Sequence, residues 1–200
     1  MTTGAARANS TNPARLSRSG SHPLDSAGGM TQGAAVLISE LMVPEFSREM
    51  AVTRTLLARV PDDKLDWSPG SGLQSIGWNA SHLAEIAGWV PVIVSQAELD
   101  IAPPGGEAMP PPTKKDVTQL LKHFDANVAA SLAALRGLPD AVMAESWTMK
   151  AGGQVLFTMT KGDCLRKWVF SHTAHHRGIL SAYLRMAGVR HDSLYESDWA

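Results

Sequence analysis

The stretch that decides the fold covers residues 168 to 183 and reads Trp-Val-Phe-Ser-His-Thr-Ala-His-His-Arg-Gly-Ile-Leu-Ser-Ala-Tyr. Taking every third or fourth residue gives one face of a helix, formed by Trp168, His172, His176, Ile179 and Tyr183. The apolar members of this face predict that it points into a core. Two histidines one helical turn apart can offer both imidazoles to one metal ion, so a further ligand is expected from elsewhere.

The spacing of apolar residues predicts three further helices. The four predicted helices span approximately residues 35 to 60, 75 to 99, 113 or 116 to 137, and 162 to 187. Pro44 lies inside the first helix and predicts a kink or a split there. Ser75 is suited to cap the second helix, and Gly188 stops the fourth. Four amphipathic helices predict an all-α four-helix bundle, whose metal sites are commonly built from side chains facing the core.

The segments between these helices are less regular. Residues 61 to 74 and 102 to 112 contain several prolines and glycines and are interpreted as connections. Residues 138 to 161 contain two β-prone segments around Gly152 and Gly153, which indicates a small hairpin or an irregular excursion.

The N-terminal residues differ from the rest in composition. Residues 1 to 30 are rich in Ser, Thr, Gly, Ala and Asn and have almost no large apolar side chains, which predicts a disordered tail. The helical domain is then expected to occupy residues 31 to 200. A domain of that length can bury most of its apolar surface without a disulfide.

Composition and charge argue against several classes of protein. Cys164 is the single cysteine, so no intrachain disulfide can form, and a reducing, cytoplasmic location is expected. No apolar run approaches the roughly 18 residues that span a membrane, and none resembles a secretory signal. The formal net charge is −1 and neither half is densely basic, which argues against nucleic acid as a partner.

His82 is the candidate third ligand. It lies in the second predicted helix, with Trp78 four residues before it and Ile86 four residues after it, on an apolar stripe. Three imidazoles that leave coordination positions open are typical of a catalytic zinc, nickel, iron or cobalt site. The alternative is a set of core histidines bonded to backbone carbonyls. His175 also competes as a ligand, because it lies three residues after His172.

Two groups of residues resemble a known family. The first is Asp-Lys-Leu-Asp-Trp-Ser-Pro at 63 to 69, followed by Ser75-Ile76 and by His-Leu-Ala-Glu at 82 to 85. The second is Ser-His-Thr-Ala-His-His-Arg-Gly at 171 to 178, continuing into Tyr-Leu-Arg at 183 to 185 and Gly188-Val189. In content, order and separation these motifs resemble the DinB/YfiT-like superfamily of metal-dependent enzymes. The resemblance covers approximately residues 31 to 198.

The resemblance implies a four-helix bundle that holds a divalent metal ion through His82, His172 and His176. His176 takes precedence over His175 because the family's second histidine immediately precedes Arg-Gly. The glutamine that usually follows this glycine is replaced by Ile179, so any role of that glutamine beside the metal is in doubt here.

The resemblance also implies an activity. Family members resemble S-transferases and isomerases that use bacillithiol or mycothiol, and others are described as hydrolases. The expected function is a metal-dependent transfer of a low-molecular-weight thiol to a small electrophile, since a bound metal ion can activate a thiol or a water molecule. The alternatives are a metal-dependent hydrolase of a small amide or ester, and a non-catalytic metal-binding module whose helices form a homodimer.

Further residues near the histidines are candidates for supporting roles. Glu85, one turn after His82, could act as acid, base or hydrogen-bond partner, or could be a solvated surface residue. Arg177 could bind a carboxylate of a thiol cofactor or substrate, or could form a salt bridge. Cys164 could be a reactive thiol, although a buried core position is the simpler interpretation. The aromatic residues that recur at helical spacing around the histidines could line a pocket or pack in the core: Trp78, Trp89, Trp168 and Tyr183.

Overall fold

The computed structural model describes residues 36–112 and 116–195, and within these ranges the chain is mostly helical with a small three-stranded sheet. The predicted tail, residues 1 to 30, lies outside the described residues. The α-helices are α1 (Ile38–Leu57), α2 (Ile76–Ile86), α3 (Trp89–Ser95), α4 (Val117–Leu135), α5 (Asp140–Ala144), α6 (Lys161–Cys164) and α7 (His172–Met186). The strands are β1 (Glu98–Asp100), β2 (Ser146–Ala151) and β3 (Gln154–Thr160). A 3-10 turn covers Asp62–Lys64, and a π-helical segment, Leu165–Ser171, joins α6 to α7.

The core lies among four of these helices. Helix α1 packs against α4 and α7, and α2 packs against the same two helices. Each helix contributes large side chains that are almost completely buried, among them Phe46, Leu83, Phe124 and Leu180. Burial of such side chains stabilises the fold by about 1.5 to 3 kcal/mol each. None of the helices in the described ranges is long and apolar enough to cross a membrane.

Helix α1 is continuous through Pro44, so of the two predicted alternatives, a kink or a split, the split is excluded. Proline removes one backbone hydrogen bond and normally disturbs a helix interior. Here Met42 and Phe46, on either side of the proline, are both buried in the core. Their packing holds the two parts of the helix in one element.

The second predicted helix ends earlier than expected and is followed by a short third one. Its start is as predicted, because the Ser75 hydroxyl accepts a hydrogen bond from the backbone N–H of Trp78 at 3.1 Å. It stops at Ile86 because contacts from α4 favour a break there. Asn127 donates to the carbonyl of Ala84 at 2.8 Å, and Ser131 donates to the carbonyl of Ala87 at 2.5 Å. These bonds satisfy carbonyls that a helix end would otherwise leave unpaired.

Two of the remaining helix boundaries agree with the sequence. Asp116 caps α4 by accepting a hydrogen bond from the N–H of Gln119 at 2.7 Å. The alternative start at residue 113 falls outside the described residues. Gly188 follows α7 with φ +83°, a conformation that favours glycine and ends the helix as predicted.

The sheet corrects the prediction of an all-α fold. Strands β2 and β3 form an antiparallel hairpin around Gly152 and Gly153, whose φ values are +62° and +77°. The hairpin alternative is therefore confirmed, because both positions adopt a turn conformation suited to glycine. Strand β1 pairs with β2 in parallel, with Glu98 opposite Thr148. It lies where the second helix was expected to end, and its three residues are too few for a recognisable strand pattern.

The fourth predicted helix is also divided. Residues 162 to 187 were expected to form one α-helix, but the segment before His172 is π-helical. The most buried stripe of α7 consists of Thr173, His176, Arg177, Leu180 and Leu184. His172 and Tyr183 are partly buried at the edge of this stripe. The histidine face therefore lies along one border of the core rather than at its centre.

The close approach of Gly77 to Leu65 yields a prediction about the start of α2. A Cβ atom at Gly77 would lie 2.7 Å from the carbonyl oxygen of Leu65, which already accepts a hydrogen bond from the Gly77 N–H. Gly77→Ala is expected to lower the free energy of unfolding by about 1 to 3 kcal/mol, because a backbone atom must move. Urea denaturation followed by circular dichroism measures this change.

A second glycine supplies the matched control. Gly178 is exposed within α7 and has open space around its Cα. Gly178→Ala is therefore expected to leave stability unchanged or to raise it by up to about 1 kcal/mol, the helix propensity of alanine over glycine. Equal stability of Gly77→Ala and the unaltered protein would contradict the close approach.

Candidate metal centre

Helices α2 and α7 bring together the three histidines that the sequence singled out. His82 lies on α2, while His172 and His176 lie one turn apart on α7. One ligand nitrogen from each ring lies within 4.8 Å of the other two, and His176 is buried while the others are partly buried. The Nε2 atoms of His82 and His172 are 3.0 Å apart. That separation is close to the roughly 3.3 Å expected for two nitrogens on one tetrahedral zinc ion with bonds of 2.0 to 2.1 Å.

Asn79 determines which nitrogen of His176 is available. The amide of Asn79 donates to the carbonyl of Ser75 at 2.9 Å, which places its oxygen toward His176. That oxygen lies 3.1 Å from Nδ1 of His176 and can only accept, so Nδ1 carries the proton. The Nε2 atom of His176 then has a free lone pair. A hydrogen bond of this kind orients metal-binding histidines in many proteins.

Asn79 was not identified from the sequence. It lies three residues before His82, so the two side chains share a face of α2, and it is only 2% exposed. A buried asparagine needs hydrogen-bond partners, and this one finds them in Ser75 and His176. The sequence did contain a signal for this role, because an asparagine on the same face of an apolar helix as a candidate ligand indicates a buried hydrogen-bond partner.

His82 has an unusual environment. Its Nδ1 atom is buried and has no hydrogen-bond partner within the residues that the structure describes. The nearby Glu85 carboxylate is 4.0 Å away, beyond hydrogen-bonding distance. If Nε2 of His82 binds a metal ion, Nδ1 must carry the proton and needs an acceptor, which a small movement of Glu85 can provide. A ligand role for Nε2 of His82 therefore requires an approach of Glu85 toward Nδ1.

His172 and His176 are neutral at physiological pH. Burial lowers the pKa of His172 to about 4 and that of His176 to about 3, and repulsion from neighbouring histidines, first His82, adds to this effect. Neutral imidazole is the form that binds metal ions. Because an unfolded histidine gains its proton near pH 6.5, burial of these two rings costs the metal-free protein stability as the pH falls below that value.

Three tryptophans surround the histidines. Trp78 lies against His82 and His176, with ring centroids 4.8 and 5.8 Å away. Trp89 and Trp168 flank His172 at 5.7 and 5.4 Å. These side chains cover part of the histidine rings with aromatic surface. Tyr183 does not join them, since its ring packs against Trp67 instead.

The structure separates His175 from the three-histidine group. Its ring centroid is 5.0 Å from that of His176, but the side chain is exposed and is not part of the convergent set. The alternative in which His172 and His175 form the pair is therefore not favoured by this geometry.

Arg177 is directed away from the histidines toward α1. Its guanidinium forms an ion pair with Glu49 and donates to the Thr53 hydroxyl at 3.1 Å and to Tyr195. The arginine is 2% exposed. These contacts occupy its donors, so the structure supports the salt-bridge alternative and a role in packing α7 against α1.

Cys164 is buried, in agreement with the core interpretation. Burial raises the pKa of its thiol to about 11. The side chain is therefore a neutral thiol at physiological pH and is a poor nucleophile.

The fold and the site together define a mostly helical protein with a group of three histidines that could hold a metal ion. The sequence model of the DinB superfamily matches residues 45–180. The chain therefore belongs to the DinB superfamily. No curated protein matches it.

Two solved structures have a similar fold. One is a DinB-like protein, YjoA, from Bacillus subtilis, with 16% sequence identity and a TM-score of 0.57 over 78% of this chain and 96% of that chain. The other is a DinB-like protein from Bacillus cereus, with 21% identity and a TM-score of 0.57 over 78% of this chain and 98% of that chain. At these identities the likeness concerns the fold.

The convergent histidines predict stoichiometric metal binding. The purified protein should take up about one divalent ion per chain, as expected for a single three-imidazole site. His82→Ala, His172→Ala and His176→Ala should each weaken binding sharply, whereas His175→Ala and His123→Ala should not. Elemental analysis after dialysis against zinc or nickel measures retention. Equal retention in all five variants would contradict this ligand set.

Asn79 yields a separate prediction about the orientation of His176. Asn79→Leu removes the acceptor for Nδ1 and should weaken divalent-metal affinity by about 10- to 100-fold, a typical effect of losing such a partner. Asn79→Asp keeps an acceptor and should retain most of the affinity. Competition with a chromophoric chelator measures both constants, and circular dichroism verifies folding. Unchanged affinity in Asn79→Leu would show that His176 needs no such orientation.

Proposed function

We propose that this protein is a divalent-metal-dependent transferase that joins a low-molecular-weight thiol, of the bacillithiol or mycothiol type, to a small electrophile. The observation that carries the proposal is the convergence of three imidazole nitrogens within 4.8 Å. Structural zinc sites usually fill four positions with protein ligands, whereas catalytic sites use three and leave room for a reactant. Zinc, nickel and iron are all compatible with imidazole ligands.

The residues of the chain have distinct parts in this proposal. His82, His172 and His176 would hold the ion, which when bound would lower the pKa of a coordinated thiol or water toward neutrality. Asn79 orients His176, as its hydrogen bond indicates. The surrounding tryptophans would supply an aromatic wall beside the ion.

Glu85 has a supporting part in the proposal. It is partly exposed and lies on an open groove that also contains His123 and Asn127. From there its carboxylate can accept the Nδ1 proton of His82 or exchange a proton with a substrate. We place Arg177 outside the site, because its donors are taken by Glu49, Thr53 and Tyr195.

Several broader features belong to the same proposal. Helices α1, α2, α4 and α7 would form the four-helix bundle typical of the superfamily, a proposal supported by the pairs in which they pack. The partner would be a small molecule rather than nucleic acid, in keeping with the formal net charge of −1. We further propose a cytoplasmic location and a homodimer, which gel filtration with light scattering can test.

A metal-dependent hydrolase of a small amide or ester is the second candidate. One observation favours it: Arg177, the cation expected to bind a carboxylate of a thiol cofactor, is buried in a salt bridge. The same three histidines would serve both reactions, because a metal ion can activate water as well as a thiol.

The test compares the two reactions in one preparation. Metal-loaded protein is incubated with 1-chloro-2,4-dinitrobenzene and bacillithiol, mycothiol or glutathione, and in parallel with a p-nitrophenyl ester without thiol. Conjugation should depend on one of the bacterial thiols, be abolished by chelation, and fall by about tenfold or more in His172→Ala. His175→Ala serves as the matched control and should retain full activity.

The other outcomes have defined meanings. Ester hydrolysis without conjugation would overturn the transferase in favour of the hydrolase. Metal binding without either reaction would overturn both and favour the non-catalytic module. Conjugation that is unchanged in His172→Ala would show that the histidines do not carry the reaction.

A further inference from the structure

An apolar cavity of about 160 Å³ lies beside the histidines. Its wall is formed by α3, the sheet and the helical segments that precede α7, and includes Trp89, Ile93, Leu99, Met149 and Trp168. The surface of the wall is entirely apolar. The high pKa of the Cys164 thiol, which also lines the cavity, keeps that group uncharged.

Two tryptophan side chains connect the cavity with the three histidines. Trp89 and Trp168 line the cavity and are also in ring contact with His172, at centroid distances of 5.7 and 5.4 Å. A molecule in the cavity would therefore lie one aromatic side chain away from a proposed metal ligand. This position distinguishes the cavity from an ordinary packing defect in the core.

The size of the cavity suggests what it can bind. An engineered protein cavity of about 150 Å³ that is lined by apolar side chains stays dry and binds benzene. A cavity of about 160 Å³ with an apolar wall matches that size and chemistry. Filling it with an apolar group restores van der Waals contacts that an empty cavity lacks.

The open side of the cavity has a different character. Met109 is 52% exposed and lines both the cavity and the neighbouring groove, and Trp89 is shared in the same way. The groove adds the polar side chains of Glu85, His123 and Asn127. An elongated molecule could thus place an apolar part in the cavity and a polar part near Glu85.

The cavity wall contains two indole nitrogens, those of Trp147 and Trp168. Both are buried and without a hydrogen-bond partner in the described part of the chain, and both residues line the cavity. The wall nevertheless presents no polar surface, so these N–H groups are covered by other atoms. We therefore assign an apolar ligand group and no hydrogen-bond acceptor within the cavity.

We propose that this cavity binds the apolar body of the substrate, a ring or branched chain about the size of benzene, while the reactive polar end lies in the groove beside Glu85, whose carboxylate is 4.0 Å from Nδ1 of His82. The proposal rests on the proposed function for the reaction itself. It adds the substrate class: small, partly aromatic or branched aliphatic compounds with one polar reactive group.

The test uses toluene, a neutral probe that has no metal-binding group. Titration of the full chain, followed through the methyl resonances of Met109 and Met149, should show saturable binding. Leu99→Trp fills the cavity from β1, and Met109→Trp obstructs its exposed side; each should weaken toluene binding by about tenfold or more. Val155→Trp, on the exposed surface of β3, is the matched control and should bind toluene as the unaltered protein does.

Chelation separates the failure of this proposal from that of the proposed function. Toluene should bind equally well before and after metal removal, whether or not conjugation or hydrolysis occurs. Absence of saturable binding in the unaltered protein would overturn the cavity proposal. Toluene binding by both cavity variants that is as tight as in the unaltered protein would overturn it as well. If Leu99→Trp fails to fold, Met109→Trp still decides the question, because residue 109 is largely exposed.

Discussion

The architecture depends on the contact between α2 and α7, where the buried His176 meets the partly buried His82 and His172. Each ring nitrogen removed from water needs a hydrogen-bond or metal partner, because an unpaired polar group in the interior costs about 1 to 3 kcal/mol. Asn79 supplies a partner for one nitrogen of His176, while Nδ1 of His82 has none among the described residues. The Nε2 atoms of His82 and His172 lie within hydrogen-bonding distance of each other, at 3.0 Å. A cation shared by the three rings would use their converging lone pairs.

The two helices that carry the histidines are fixed by contacts outside the site. The start of α2 is held by the Ser75 cap and by the hydrogen bond from Gly77 to Leu65, a contact that leaves no space for a Cβ atom. Helix α7 is tied to α1 by the ion pair of the buried Arg177 with the partly exposed Glu49. Arg177 directly follows His176 in the chain, so its anchorage also restricts the position of that ligand. A preorganised set of donors loses little entropy when it binds an ion.

The predictability of the site differs from that of the elements around it. Helical periodicity is a local property, so the sequence placed His172 and His176 on one face, while the choice of His176 over His175 came from the family resemblance. The end of α2 depends instead on Asn127 and Ser131, which reach its last carbonyls from a helix more than forty residues further along the chain. The direction of the Arg177 side chain likewise depends on its partners in α1, Glu49 and Thr53. Such boundaries are decided by tertiary contacts, which periodicity does not contain.

The small sheet shows how an element that was difficult to predict can still shape the site. Phe157 of β3 stacks on Trp168, with ring centroids 5.2 Å apart and planes only 6° from parallel. Trp168 in turn contacts His172, so the hairpin touches the histidine group through a chain of two aromatic rings. Trp168 lies within the π-helical segment, whose wider turns change the direction of side chains relative to an α-helix. The sheet and the π-helical segment together hold Trp168 between the cavity and His172. Because this one side chain contacts both, the cavity borders directly on the proposed metal centre.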